Sequence, residues 1–213
     1  MDFLPSPSIF AAFTIAGLIL ALTPGPDMTL FVGRTLSGGR SAGLAALMGT
    51  ATGCTLHTLA AVAGISALLA ASPAAFWVLK IVGAAYLLWL AFQAIVKGST
   101  FRLDVGERKQ VSVLNNYLTG VGINIFNPKV VIFFITFLPQ FVSASDPNAW
   151  KKMLTLGLYF VLFSTPLMAL MVLMADRMAK ALLANPKLTR LIDWLFGTIF
   201  AAFAVRILFT EGR

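Results

Sequence analysis

Apolar residues run through this chain in six stretches, at roughly 9–31, 44–70, 76–96, 117–142, 153–175 and 191–209, each near the length of about 20 residues that carries a helix across a bilayer. Backbone groups in hydrocarbon have to be satisfied within the segment that carries them, and helices do this. Composition points the same way. Of the 213 residues, 59% are hydrophobic and only 11% charged, and the mean hydropathy is +0.89, so there is too little polar surface to coat a soluble globule. The expectation is an all-α integral membrane protein, with six transmembrane helices in a single domain over 1–213.

The formal net charge of +8 is a topology signal and does not indicate nucleic-acid binding. Arg34 and Arg40 fall between the first and second stretches. Lys97, Arg102, Arg108 and Lys109 fall between the third and fourth, and Arg177, Lys180, Lys187 and Arg190 between the fifth and sixth. The opposite side holds Lys80, Lys151, Lys152, Arg206 and Arg213, with Lys129 inside a stretch. Positive charge marks the cytoplasmic side, so both termini are expected outside and the loop after residue 96 inside. Met1 to Ser8 carries only Asp2 and lacks the basic start of a secretion signal, so the first stretch reads as a retained span. The single cysteine, Cys54, forms no internal pair and argues against a dithiol relay.

Two of the stretches are broken by proline beside an ionisable residue, in TPGPDM at 23–28 and NPK at 127–129. Pro24 and Pro26 have no N–H, so the carbonyls of Leu20 and Leu22 lose their helical donors, and Gly25 adds backbone freedom between them. A helix restarting at Pro26 would present the N–H groups of Asp27, Met28 and Thr29 as a weak anion site, with the liberated carbonyls opposite as a cation site. An α-amino acid carries both charges about one residue apart. The alternative is a kink used only for packing; against it stands Asp27, since a carboxylate at this depth costs on the order of 3 kcal/mol. In the second break Pro128 frees the carbonyl of Asn124, and Asn124, Asn127 and Lys129 share one turn. Lys129 is expected to face a cavity, paired with Asp27 or with a substrate carboxylate; the alternative is a lysine reaching the cytoplasmic headgroups.

His57, the only histidine, ends a stripe of small residues, Ala45, Gly49 and Gly53, of the kind that lets helices approach closely. It reads either as a proton carrier or as a satisfied interhelical hydrogen bond. Thr165 and Pro166 mark a third irregularity, in the fifth stretch. Superposing Pro24 on Pro128 lays the first stretch over the fourth. With three helices per half, the second half enters the membrane in the opposite sense, which makes an inverted 3+3 repeat with halves of about 1–96 and 113–213 and helices 1 and 4 broken.

TPGPDM, the SGGRSAG loop and NPKVVIFFITFLPQF from 127 to 141 resemble the LysE/RhtB family of bacterial amino-acid exporters. The resemblance implies a secondary transporter of the cytoplasmic (inner) membrane that exports amino acids under the proton motive force, without a cofactor. It implies site roles for Pro24, Gly25, Pro26, Asp27, Asn127, Pro128 and Lys129. Asn124 joins them from the physical reading, as does Asp27, with His57 second, for proton coupling. The expected partners are an amino acid, protons and lipid; homo-oligomerisation and the identity of the amino acid are not legible. A membrane enzyme is disfavoured because HExxH, GxSxG and a cysteine pair are missing. A structural or assembly role would leave broken helices with buried charge unexplained.

Overall fold

The computed structural model describes residues 4–71, 78, 81–82, 84–85, 88–89, 91–97, 111–143, 146–175, 177 and 186–209. These are helical with short connections, and no strand occurs among them. Helix α1 spans Pro7–Leu22, α2 Pro26–Gly38, α3 Arg40–Ala71, α4 Val113–Ile125, α5 Pro128–Ile132, α6 Ala149–Leu173 and α7 Pro186–Phe209. A π-helical turn, Phe133–Phe137, and a 3₁₀ turn, Leu138–Phe141, continue α5.

Local chemistry sets the ends of these elements. The Ser6 hydroxyl accepts from the Ile9 N–H, and Pro7 starts α1, a position where its missing donor costs nothing. Thr23 closes α1, its N–H and hydroxyl both donating to the Ile19 carbonyl. Gly39, at φ 85°, turns α2 sharply into α3 in a conformation that favours glycine. Ser112 caps α4 through the Asn115 N–H, and Asn127 caps α5 through the Lys129 N–H.

Among the described residues, Arg40–Gly64 and Ala149–Leu173 are each long and apolar enough to cross a membrane, and the count rises to four if each bent pair is one span. The pairs α1/α2 and α4 with its Pro128–Phe141 continuation bend by 53° and 54°, as expected where proline removes helical donors. Of the stretch 76–96, residues 76–77, 79–80, 83, 86–87 and 90 lie outside the described residues, as do the loop cations Arg102, Arg108, Lys109 and Lys180. The stretch 191–209 lies within α7.

In lipid, helix association depends on packing and interhelical hydrogen bonds. The small-residue stripe serves that end. A Cβ at Gly49 would run into the Tyr117 carbonyl, one at Gly53 into the Asn124 side chain, and one at Gly120 into the Ala46 carbonyl, so α3 and α4 touch backbone to backbone. Gly157 of α6 packs against the Thr58 side chain of α3, and Gly17 of α1 against the side chains of Phe160 and Phe163 of α6. Behind these contacts lies an aromatic core of Phe13, Phe133, Phe134, Phe137 and Phe160. Its rings meet at 5.2 to 5.9 Å, two of the pairs edge to face.

Candidate functional site at the two helix breaks

The cap of the second break fixes its orientation. Pro128 removes the donor that would have served the Asn124 carbonyl, and that oxygen is taken up twice over. It accepts from the Asn127 N–H at 3.0 Å and lies 3.2 Å from Nε2 of His57 on α3. A carbonyl only accepts, so Nε2 carries the proton in this contact. The imidazole also stacks on Phe134, centroids 5.9 Å apart. Of the two readings of His57, the interhelical hydrogen bond is the one the geometry displays.

The Asn124 side chain, fully buried, reaches from α4 to the first break, where Nδ2 donates to Asp27 Oδ2 at 2.8 Å and approaches Cys54 Sγ at 3.5 Å. Asp27 is the second residue of α2, where a carboxylate suits the positive end of the helix dipole. The sequence placed three free N–H groups here; one of them, that of Thr29, is taken by the Gly25 carbonyl at 2.9 Å as the first bond of the new helix.

Lys129 is the second residue of α5, a position its charge does not suit. Its side chain leaves that helix and inserts at the C-terminal end of α1, where a cation is favoured. There Nζ donates to the carbonyls of Leu20 at 3.2 Å and Thr23 at 2.9 Å. The lysine therefore turns inward, onto the first break. The expected direct pairing with Asp27 differs from what is found: among the described residues no ion pair within 4.0 Å joins the two. The reason is the proline-freed carbonyl of Leu20, a nearer acceptor that has no helical donor.

Between the breaks and the facing sides of α3 and α6 lies a partly open cavity of about 60 Å³, several times the volume one water needs. Asp27, Asn124 and Lys129 line it together with the small polar groups of Thr50, Cys54, Ser164 and Thr165, and its apolar wall includes Met28, Phe31, Phe160 and Met168. Three buried polar atoms at the breaks have no protein partner: Asp27 Oδ1, Asn124 Oδ1 and Asn127 Nδ2. Native proteins leave few such atoms unpaired, and each calls for an explanation.

Of the residues singled out in the sequence, Asp27, Asn124 and Lys129 come together on the cavity. Pro24, Gly25, Pro26, Asn127 and Pro128 shape the breaks without lining it, and His57 sits one residue removed, behind Asn124. Thr165 faces the cavity while Pro166 is carried inside α6. The sequence did not single out Thr50, Cys54 or Ser164 for this surface. Their signal was the spacing of 47, 50, 51 and 54 on α3 and of 160, 161, 164, 165 and 168 on α6, each set one helical face. Among the described residues no group of three or more His, Cys, Asp or Glu side chains is placed to hold a metal.

The family described as LysE type translocator matches residues 18–211. The Leucine efflux protein of Enterobacter sp. (strain 638) is 29% identical, over 93% of this chain and 94% of that protein. The YrhP membrane protein of Bacillus subtilis (strain 168) is 28% identical over 93% and 97%. The Homoserine/homoserine lactone efflux protein of Salmonella typhimurium is 27% identical over 89% and 90%. No solved structure matches the chain.

Proposed function

The chain belongs to the LysE type translocator family, and we propose that it exports amino acids across the cytoplasmic membrane of a bacterium, with substrate bound between the two broken helices. The carrying observation is that Asp27, Asn124 and Lys129, from opposite breaks, line one small cavity with an apolar wall. The α-ammonium is held by Asp27 and the freed carbonyls at the end of α1. The α-carboxylate is held by Lys129 and the Asn124 amide, with Asn127 capping the helix that carries Lys129. An aliphatic side chain lies against Met28, Phe31 and Met168. Relatives named for leucine and homoserine efflux support a small amino acid of this kind.

The architecture we propose is six helices in an inverted 3+3 repeat, both termini outside. Support comes from the two bends of 53° and 54° and from the exchange of partners, with α3 packed on α4 and α6 on α1. The register differs from the superposition of Pro24 on Pro128. Pro26 and Pro128 are the residues in equivalent backbone roles, each the first residue of a restarted helix with Gly25 or Asn127 as its cap. Rocking of the halves about such a site would expose it to either side in turn.

Export against a gradient needs an energy source, and the chain has no ATP-binding P-loop. We assign coupling to inward proton movement with Asp27 as the primary carrier. His57 is a second candidate, linked to Asp27 through Asn124. Efflux of radiolabelled amino acids from loaded vesicles, with and without a pH gradient, tests the proposal. Gradient-dependent efflux of leucine or homoserine supports it, and no efflux from a panel of amino acids contradicts it.

A further inference from the structure

We propose that the carbonyls of Leu20 and Thr23 form a cation site in the first helix break, that the Lys129 ammonium is its occupant in the unloaded protein, and that the α-ammonium of the substrate displaces it. This rests on the reading of the chain as an amino-acid exporter and assigns Lys129 a further task, letting the empty carrier reverse.

The site is built from backbone. Pro24 strips the Leu20 carbonyl of its donor, and the Thr23 carbonyl stands at the break itself. Both accept from one Nζ, at 3.2 and 2.9 Å. An ammonium carries three donors and no acceptor, and the amino-acid head group presents the same chemistry on a free molecule. Asp27 lies on the same cavity, so whichever ammonium enters also meets a carboxylate. Lys129 is free to leave, because no ion pair within 4.0 Å fixes it among the described residues and its stem is four flexible carbons.

Displacement then closes a cycle. The substrate ammonium takes the carbonyls, and the released Lys129 is left beside the substrate carboxylate, about one residue away. On release of substrate the lysine returns, so the bare carbonyls are not left unpaired in a poor solvent during the return step, in which Asp27 carries its proton. Exchange of one substrate for another does not require that step, whereas net export does. Lys129 therefore matters more for net export than for exchange.

The test uses the full chain in proteoliposomes loaded with radiolabelled leucine or homoserine. Net efflux into substrate-free buffer is compared with exchange against unlabelled substrate outside. In Lys129→Gln, net efflux is expected to fall about tenfold further than exchange, an unfavourable return of about 1.4 kcal/mol, while Lys129→Arg keeps the wild-type ratio. Gly25→Ala offers a variant that keeps every charge. The backbone there is extended, at φ −171°, and a Cβ would stand 3.1 Å from Nζ and 3.4 Å from Cε of Lys129. It crowds the ammonium and is expected to lower the same ratio, and it decides the matter if Lys129→Gln fails to reach the membrane. Net efflux and exchange falling in parallel, or net efflux unchanged, overturns the inference while leaving amino-acid transport intact. Wild-type protein that performs neither process overturns the exporter reading and this inference together.

Discussion

Asp27 and Lys129 occupy the same place in two different helices: each is the second residue of a segment that restarts on a proline, and both line one cavity. Opposite charges at matched positions of two matched breaks give a site suited to a zwitterion. The helix dipole favours only one of the two: the carboxylate stays at its own helix, whereas the ammonium is satisfied across the break, on the carbonyl end of α1.

Removing either charge is expected to abolish uphill efflux. Asp27→Asn and Lys129→Met each lower the rate by more than about tenfold, equivalent to at least 1.4 kcal/mol. Each also lowers thermal stability, because the surviving charge stays in a low-dielectric setting. The double variant regains stability without transport. Vesicle efflux and unfolding in detergent read the two effects separately, and single variants exporting at wild-type rate would remove both residues from the site.

The glycine stripe should tolerate no side chain. Gly49→Val drives carbon into the Tyr117 carbonyl and is expected to cost about 1–3 kcal/mol or more, since backbone gives way less readily than side chains. Gly64→Ala faces open space and is expected to be neutral or stabilising, as alanine is the better helix former. Thermal unfolding of the two variants side by side checks the contrast.

The positions of both breaks were legible in the sequence because proline acts locally. The carbonyls it was expected to free at Leu20 and Asn124 are the ones that Lys129 and His57 reach. The register of the proposed repeat halves was not legible. Identity between them is weak, and the equivalence of Pro26 with Pro128 shows only in their shared role as first helical residue. The cavity lining was legible only in part, because helices that are apolar all round do not declare an inner face; Thr50 and Ser164 share a helical face with other lining residues, and that spacing alone does not say which face turns inward. The π-helical turn at Phe133–Phe137 had no sequence signature at all.

Outside the spans, Asp146 is paired with Lys152, whose side-chain hydrogen bond holds its carboxyl below the ordinary value of 3.8. A carboxyl depressed on folding contributes stability above its unfolded pKa and loses that contribution as pH falls through the folded value. The pair is therefore intact at neutral pH and lapses only in strong acid. Lys152→Ala should raise the Asp146 titration toward the ordinary value, as followed by NMR, with no change in transport near neutrality.

The cation asymmetry predicts both termini outside and the loop after residue 96 inside. With Cys54→Ser as background, cysteine at Ser8 should react with an impermeant thiol reagent applied to intact cells, and cysteine at Ser99 should react only after permeabilisation. Labelling of Ser99→Cys from outside would reverse the topology.

We propose a proton-coupled amino-acid site between the two breaks, with Asp27 carrying the proton. Its most direct test is uphill efflux of labelled leucine or homoserine from vesicles held at a fixed pH gradient, comparing the wild-type chain with Asp27→Asn. Wild-type efflux is expected to stop when an ionophore collapses the gradient while exchange persists, and Asp27→Asn is expected to show no gradient-driven efflux at all. Uphill efflux that survives collapse of both the pH gradient and the membrane potential, or that proceeds at wild-type rate in Asp27→Asn, would contradict it.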